Sequence, residues 1–129
     1  MTAPKRVDRP LSPFMLGPYY RLQMTSVSSI LIRITGLGLI VAIALTVWWI
    51  LAAATGPAHF GFVNGIVTSW FGTLVYVLSA WAVWYHLLGG LRHFLFDAGL
   101  GMEIATAEKL GWAMVFGSVA LTVITVLVV

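Results

Sequence analysis

The stretch WYHLLGGLRHFLFDAG, Trp84 to Gly99, puts His86 at the end of a long apolar run, followed by Gly89, Gly90, Arg92, His93 and Asp97. An imidazole in apolar surroundings needs a partner, because a buried polar group without one costs free energy. Two kinds of partner suit it. Neutral imidazole is a good ligand for haem iron. A polar group on a neighbouring helix would satisfy the ring equally well. Gly89 and Gly90 lie about one turn from His86. Glycine in a membrane helix lets another helix or a flat macrocycle approach the backbone closely.

Helical spacing separates the two histidines of the stretch. His93 is seven residues from His86, roughly 10.5 Å along a helix, whereas two axial ligands of one iron sit about 4 Å apart. They cannot share one iron. His59 lies far from both, in the connection at the other end of the chain's long apolar runs. A six-coordinate haem on His86 would therefore take its second ligand from another chain. Arg92, roughly 9 Å along the helix from His86, is expected to snorkel to the membrane interface. There it and His93 would either meet anionic propionates or form a solvated helix end.

A second group is SSILIRITG, Ser28 to Gly36. Ser29 and Arg33 are four apart and so share a helix face. A hydroxyl beside a fixed cation can hydrogen-bond a quinone carbonyl, a phosphate or a haem propionate. Alternatively Arg33 snorkels to lipid phosphate and Ser29 caps the helix. Thr35 and Gly36 suit close helix packing.

These residues must be positioned by membrane helices. Of 129 residues, 60% are hydrophobic and 9% charged. A soluble domain carries about a quarter charged residues, so this chain lacks the polar groups to cover itself in water. Three runs are long enough to span a bilayer: about 29–54, 66–94 and 110–129. Residues 1–28 read as an N-terminal arm and interfacial segment, and 29–129 as a three-helix transmembrane domain. The first connection, TGPAHFGFVNG, reads as a turn loop, and the second, DAGLGMEIATAEK, is polar. The chain has no cysteine, which excludes disulfides, iron–sulfur ligation and thiolate-bound haem within it.

The charges are one-sided. Lys5, Arg6, Asp8, Arg9, Arg21 and Arg33 lie before or early in the first span, and Arg92, Asp97, Glu103, Glu108 and Lys109 surround the second connection. Three spans bring both groups to one side, which the positive-inside rule makes cytoplasmic, with the C-terminus periplasmic. The net charge of +3 is thus a membrane-flanking charge and marks no nucleic-acid partner. A pore or transporter needs polar groups at mid-membrane depth. Here they cluster near one face, which suits an anchor on which a soluble partner docks. The N-terminal segment has no apolar h-region, so it is expected to be a mature arm and not a signal peptide. Its acid and four prolines also disfavour a transit helix, which favours a bacterial or archaeal chain over an imported mitochondrial precursor, and the expected location is a bacterial inner membrane. Trp48, Trp49 and Trp70 fit an aromatic belt at the outer ends of the first two spans. Trp81 and Trp84 lie deeper, as packing residues or haem-pocket walls.

At this point the chain resembles the cytochrome b membrane-anchor subunits of succinate dehydrogenase, respiratory complex II. RPLSP (Arg9 to Pro13) resembles the arm motif of that family. SSILIRITG resembles its Ser-x-x-x-Arg-x-[Ser/Thr]-Gly signature, and HLLGGLRHFLFDAG its His-x-x-x-Gly-x-Arg-His-x-x-x-Asp signature. The resemblance covers nearly the whole chain. It implies an all-α fold of three transmembrane helices packed with a second anchor subunit. It implies that His86 is an axial ligand of haem b, the partner anchor giving the other histidine. Ser29 and Arg33 match the ubiquinone site, where the iron–sulfur subunit meets the membrane. Arg92, His93 and Asp97 match the interfacial motif near the propionates and quinone pocket. Many members carry histidine directly before the motif arginine. Here that position is Ile32, which leaves Arg33 with more of the contact. Succinate would be oxidised by the flavoprotein subunit, not by this chain. The competing readings are a structural anchor without haem, or a b-type cytochrome subunit of a related quinone oxidoreductase such as fumarate reductase.

Overall fold

The computed structural model describes residues 20–129. The RPLSP motif and most of the N-terminal arm lie outside the described residues. The rest is helical: α1 Met24–Thr55, α2 Pro57–Val67, α3 Trp70–Asp97 and α4 Ile104–Val128. Helices α1, α3 and α4 are long and apolar enough to cross a membrane. In hydrocarbon every backbone N–H and C=O must be satisfied within its own segment, which is why long apolar runs there become uninterrupted helices.

Local chemistry sets the ends. The Ser26 hydroxyl sits 2.8 Å from the Gln23 carbonyl and 3.2 Å from its N–H, fixing the first turn of α1. Ser69 caps α3, its hydroxyl accepting from the Gly72 N–H at 3.1 Å. At the other end of α3, Gly99 takes a φ of 75°. The Leu100 N–H then reaches back to the Leu95 carbonyl and the Gly99 N–H to that of Phe96. This is a Schellman stop, which favours glycine because a β-carbon disfavours that φ.

Helix α2 differs from the expected turn loop. Pro57 at its first position has no N–H to leave unbonded and a φ already suited to a helix. Val63 and Val67, four apart, are buried against Ala52 of α1, with Trp49 and Tyr76 packed around them. The Trp49 indole donates to the Asn64 side chain at 3.2 Å and its ring stacks on Phe60. Gly61 and Gly65 argue locally against a helix, but this burial outweighs their propensity. Helix α3 consequently starts at Trp70 rather than near residue 66, and α1 and α4 each begin earlier than the apolar runs suggest.

Helix α3 is central, packed on α1 on one side and α4 on the other. The seams are built from small residues. Ser28, Thr35 and Ala42 are buried on α1, Ala82 and Gly89 on α3, and Gly111 and Ser118 on α4. Small side chains bring backbones close where lipid gives no hydrophobic drive for helix association. Trp81 and Trp84 both turn toward α4, donating to Ser118 at 3.1 Å and Thr125 at 2.9 Å. They are helix–helix cross-links. Large apolar side chains such as Ile40, Val41, Phe94 and Phe116 point outward, as they do in a lipid-facing or partner-facing surface.

Candidate functional site

The start of α1, the end of α3 and the start of α4 meet at one end of the bundle, where Arg92 joins all three. Its guanidinium donates to the Ser28 hydroxyl at 3.0 Å and to the Ala107 carbonyl at 3.1 Å, and lies 4.7 Å from the centre of the Phe96 ring. It is only 6% exposed. The expected snorkelling arginine is therefore turned inward. The reason lies in helix phase. Ala82, Tyr85, Gly89 and Arg92 follow one another at steps of three and four on the buried face of α3. A long side chain on that face finds the Ser28 hydroxyl and a backbone carbonyl before it finds the interface. Ser28 is the residue that reading the sequence passed over in favour of Ser29. Its signal was present: Ser28, Thr35 and Ala42 recur every seven residues, which is two helical turns.

Beside Arg92 an open cleft of about 250 Å³ is lined by Thr25, Ser29, Arg92, His93, Phe96, Met102 and Ala107. Three of the expected site residues, Ser29, Arg92 and His93, thus come together. Arg33 does not line this cleft. It lies one turn further along α1, roughly 6 Å deeper, with its side chain exposed. Asp97, the last residue of α3, is also exposed and outside the cleft.

His86 stands apart from the cleft, half-buried where α3 faces α1. Its Nδ1 lies 3.1 Å from the Ile32 carbonyl oxygen and 3.4 Å from the Thr35 hydroxyl. A carbonyl only accepts, so Nδ1 carries the proton and donates. The other nitrogen, Nε2, then keeps its lone pair. This is the arrangement that ligating histidines use, one ring nitrogen tied to a carbonyl and the other left for the metal. The ring reaches α1 because residue 36 is glycine. A β-carbon there would stand 3.1 Å from His86 Cε1.

The paired glycines beyond His86 do different things. A β-carbon on Gly89 would strike Ile32 and Met114, at 2.7 and 3.1 Å, so Gly89 is a notch for helix packing. A β-carbon on Gly90 would meet nothing within 4 Å. Gly90 is four residues from His86 and shares its face, so bare backbone lies open beside the imidazole. Ile32 fills the Gly89 notch with its side chain while its carbonyl holds His86. Among the described residues, no three His, Asp or Glu side chains converge as a metal cluster. His59 bonds Thr55 at the far end of the bundle. The residues present fit a metal held as the centre of a flat macrocycle, for which one protein nitrogen per chain suffices. They do not fit a bare ion, which needs several donors from the protein.

A family model described as succinate dehydrogenase/fumarate reductase transmembrane subunit matches residues 5–125. The chain is 46% identical over 123 residues to a succinate dehydrogenase cytochrome b556 subunit of Paracoccus denitrificans, covering 95% of this chain and 93% of that one. It is 35% identical to the subunit of the same name in Rickettsia felis, over 90% of this chain and 89% of the relative. A succinate dehydrogenase cytochrome b560 subunit of Reclinomonas americana is 31% identical over 84% of this chain and 77% of its own.

Proposed function

Because the chain belongs to the succinate dehydrogenase/fumarate reductase transmembrane subunit family, we propose that it is the cytochrome b anchor of a succinate:quinone oxidoreductase, holding haem b through His86. Its three spans and bacterial relatives make it a multi-pass inner-membrane protein. The end carrying Arg21, Arg33, Arg92, Asp97, Glu103, Glu108 and Lys109 is cytoplasmic by the positive-inside rule, and the C-terminus periplasmic. The observation that carries the haem reading is the 3.1 Å contact of His86 Nδ1 with the Ile32 carbonyl. Donation from Nδ1 to the Ile32 carbonyl leaves Nε2 as the ligating atom, and Gly90 keeps the adjacent backbone bare. Bound there, haem b would supply a one-electron redox centre near the quinone site. A histidine of the partner anchor subunit would complete the hold on the haem, since His93 is too far along α3 to contribute.

The chain has no cysteine and so provides no cluster ligand. Electrons from succinate reach it through a flavoprotein and an iron–sulfur subunit docked on the cytoplasmic end. Ubiquinone is reduced at that same end, between the cleft and the exposed face of α1. Ser29, in the cleft wall, orients a quinone carbonyl or donates a proton to its oxygen. Arg33, one turn deeper and free to turn toward the ring, stabilises negative charge as the quinone is reduced. His93 closes the cleft from α3, while Arg92 holds the walls together from within. Asp97 marks the interface where the iron–sulfur subunit sits.

Reduced-minus-oxidised difference spectra of the purified complex should show b-type absorbance, and a complex with all its subunits but no such bands would overturn the haem reading. For the quinone site, Arg33→Leu should lower quinone reduction at least about tenfold, a loss of roughly 1.4 kcal/mol in transition-state stabilisation. Succinate oxidation by a soluble artificial acceptor should survive. Equal loss of both activities would make Arg33 an assembly residue instead.

A further inference from the structure

Thr35 is 3% exposed and, among the described residues, is the one side chain whose polar atom reaches His86 Nδ1. Its hydroxyl lies 2.8 Å from the Leu31 carbonyl and 2.9 Å from the Ile32 carbonyl. Its oxygen is 3.4 Å from His86 Nδ1. The hydroxyl has a single proton to give. Donating to Leu31, it turns a lone pair toward the Nδ1–H. Donating to Ile32, it fixes the orientation of the carbonyl that Nδ1–H itself uses. In both arrangements the imidazole proton faces two oxygens on consecutive turns of α1. These bonds fall where the His86 ring is seated against Gly36.

We propose that Thr35 is a positioning residue for His86: with the Ile32 carbonyl it holds the Nδ1 proton, fixes the ring plane, and thereby sets how strongly Nε2 donates to iron. The proposal rests on the haem reading above. A hydrogen bond at the inner nitrogen gives imidazole some imidazolate character, which favours ferric over ferrous iron, so groups around a ligating histidine tune its metal. The oxygen at 3.4 Å is a weak acceptor taken alone. Its leverage comes from acting also on the stronger acceptor, at 3.1 Å.

The test uses the whole purified complex with three forms of this chain: unaltered, Thr35→Val and Thr35→Ser. Valine preserves volume and removes the hydroxyl. Serine keeps the hydroxyl and removes the methyl. The readouts are haem per complex, the midpoint potential by redox titration, and the EPR signal of the ferric haem. Thr35→Val should shift the midpoint potential and move the EPR signal, or lose haem outright, with subunit composition unchanged. Thr35→Ser should return all three toward the unaltered values. An unchanged potential and EPR signal in Thr35→Val would overturn the proposal. So would equal effects of Val and Ser, since these would mark the methyl group and not the hydroxyl. Absence of haem from the unaltered complex is a separate result, which defeats the haem reading itself.

Discussion

Replacing His86 with leucine should strip haem from the assembled complex. The expected fall is at least about tenfold in haem per complex, because even residues that merely support a metal ligand are worth 10–100-fold in metal affinity. Leucine fits the half-buried site between α1 and α3 and removes both ring nitrogens. The Ile32 carbonyl loses the imidazole but keeps the Thr35 hydroxyl and its place in the α1 hydrogen-bond ladder, so the three-helix unit should still assemble. Pyridine haemochrome assay of the purified complex, beside a gel of its subunits, reads both outcomes. Full haem content in the leucine variant would mean that the iron is held elsewhere. It would leave His86 as a histidine satisfied by its carbonyl alone.

Arg92→Leu should act chiefly on stability. The guanidinium bonds both Ser28 of α1 and the α4 backbone at Ala107. Hydrogen bonds to a charged group contribute about 1.5–3 kcal/mol each, so losing both should cost about 3–6 kcal/mol. The Phe96 contact is lost as well. The midpoint of thermal inactivation of the detergent-solubilised complex should fall by several degrees. Arg92→Lys should recover only part, because an ammonium is a point charge without the planar fork that reaches two acceptors at once. Quinone reduction should decline in step with stability, through the loosened cleft wall. Selective loss of quinone reduction at unchanged thermal stability would instead make Arg92 a quinone-binding group.

Both predictions depend on helix phase, and phase explains what the sequence made legible. The three spans follow from apolar run length, since nothing but a helix satisfies a backbone in lipid. The isolation of His86 from His93 followed from rise per residue alone. The division of labour between Gly89 and Gly90 did not. Adjacent residues differ by about 100° around a helix, and which of the two faces a neighbour depends on where that neighbour lies. The same ambiguity hid Ser28 behind Ser29. Arg92 was misplaced because membrane arginines usually snorkel, although its phase with Ala82, Tyr85 and Gly89 was readable. Helix α2 was missed for a different reason. Its glycines carry a local signal, and what overrides that signal is burial against Ala52, a residue of another element. The Ile32 carbonyl was invisible in principle, since a backbone acceptor carries no residue type.

Ile32 has a consequence of its own. Its side chain sits in the notch at Gly89 and its carbonyl meets Nδ1 of His86 three residues earlier on α3. One residue thus works as a vernier between the two helices. A slip of α1 by a single turn would carry the carbonyl about 5.4 Å from the imidazole and empty the notch in the same movement. The histidine would then be intact but wrongly presented, with either nitrogen free to hold the proton. On the haem reading, cofactor capture would therefore check the alignment of α1 against α3, and a misaligned anchor would be left without haem even though no ligand had been altered.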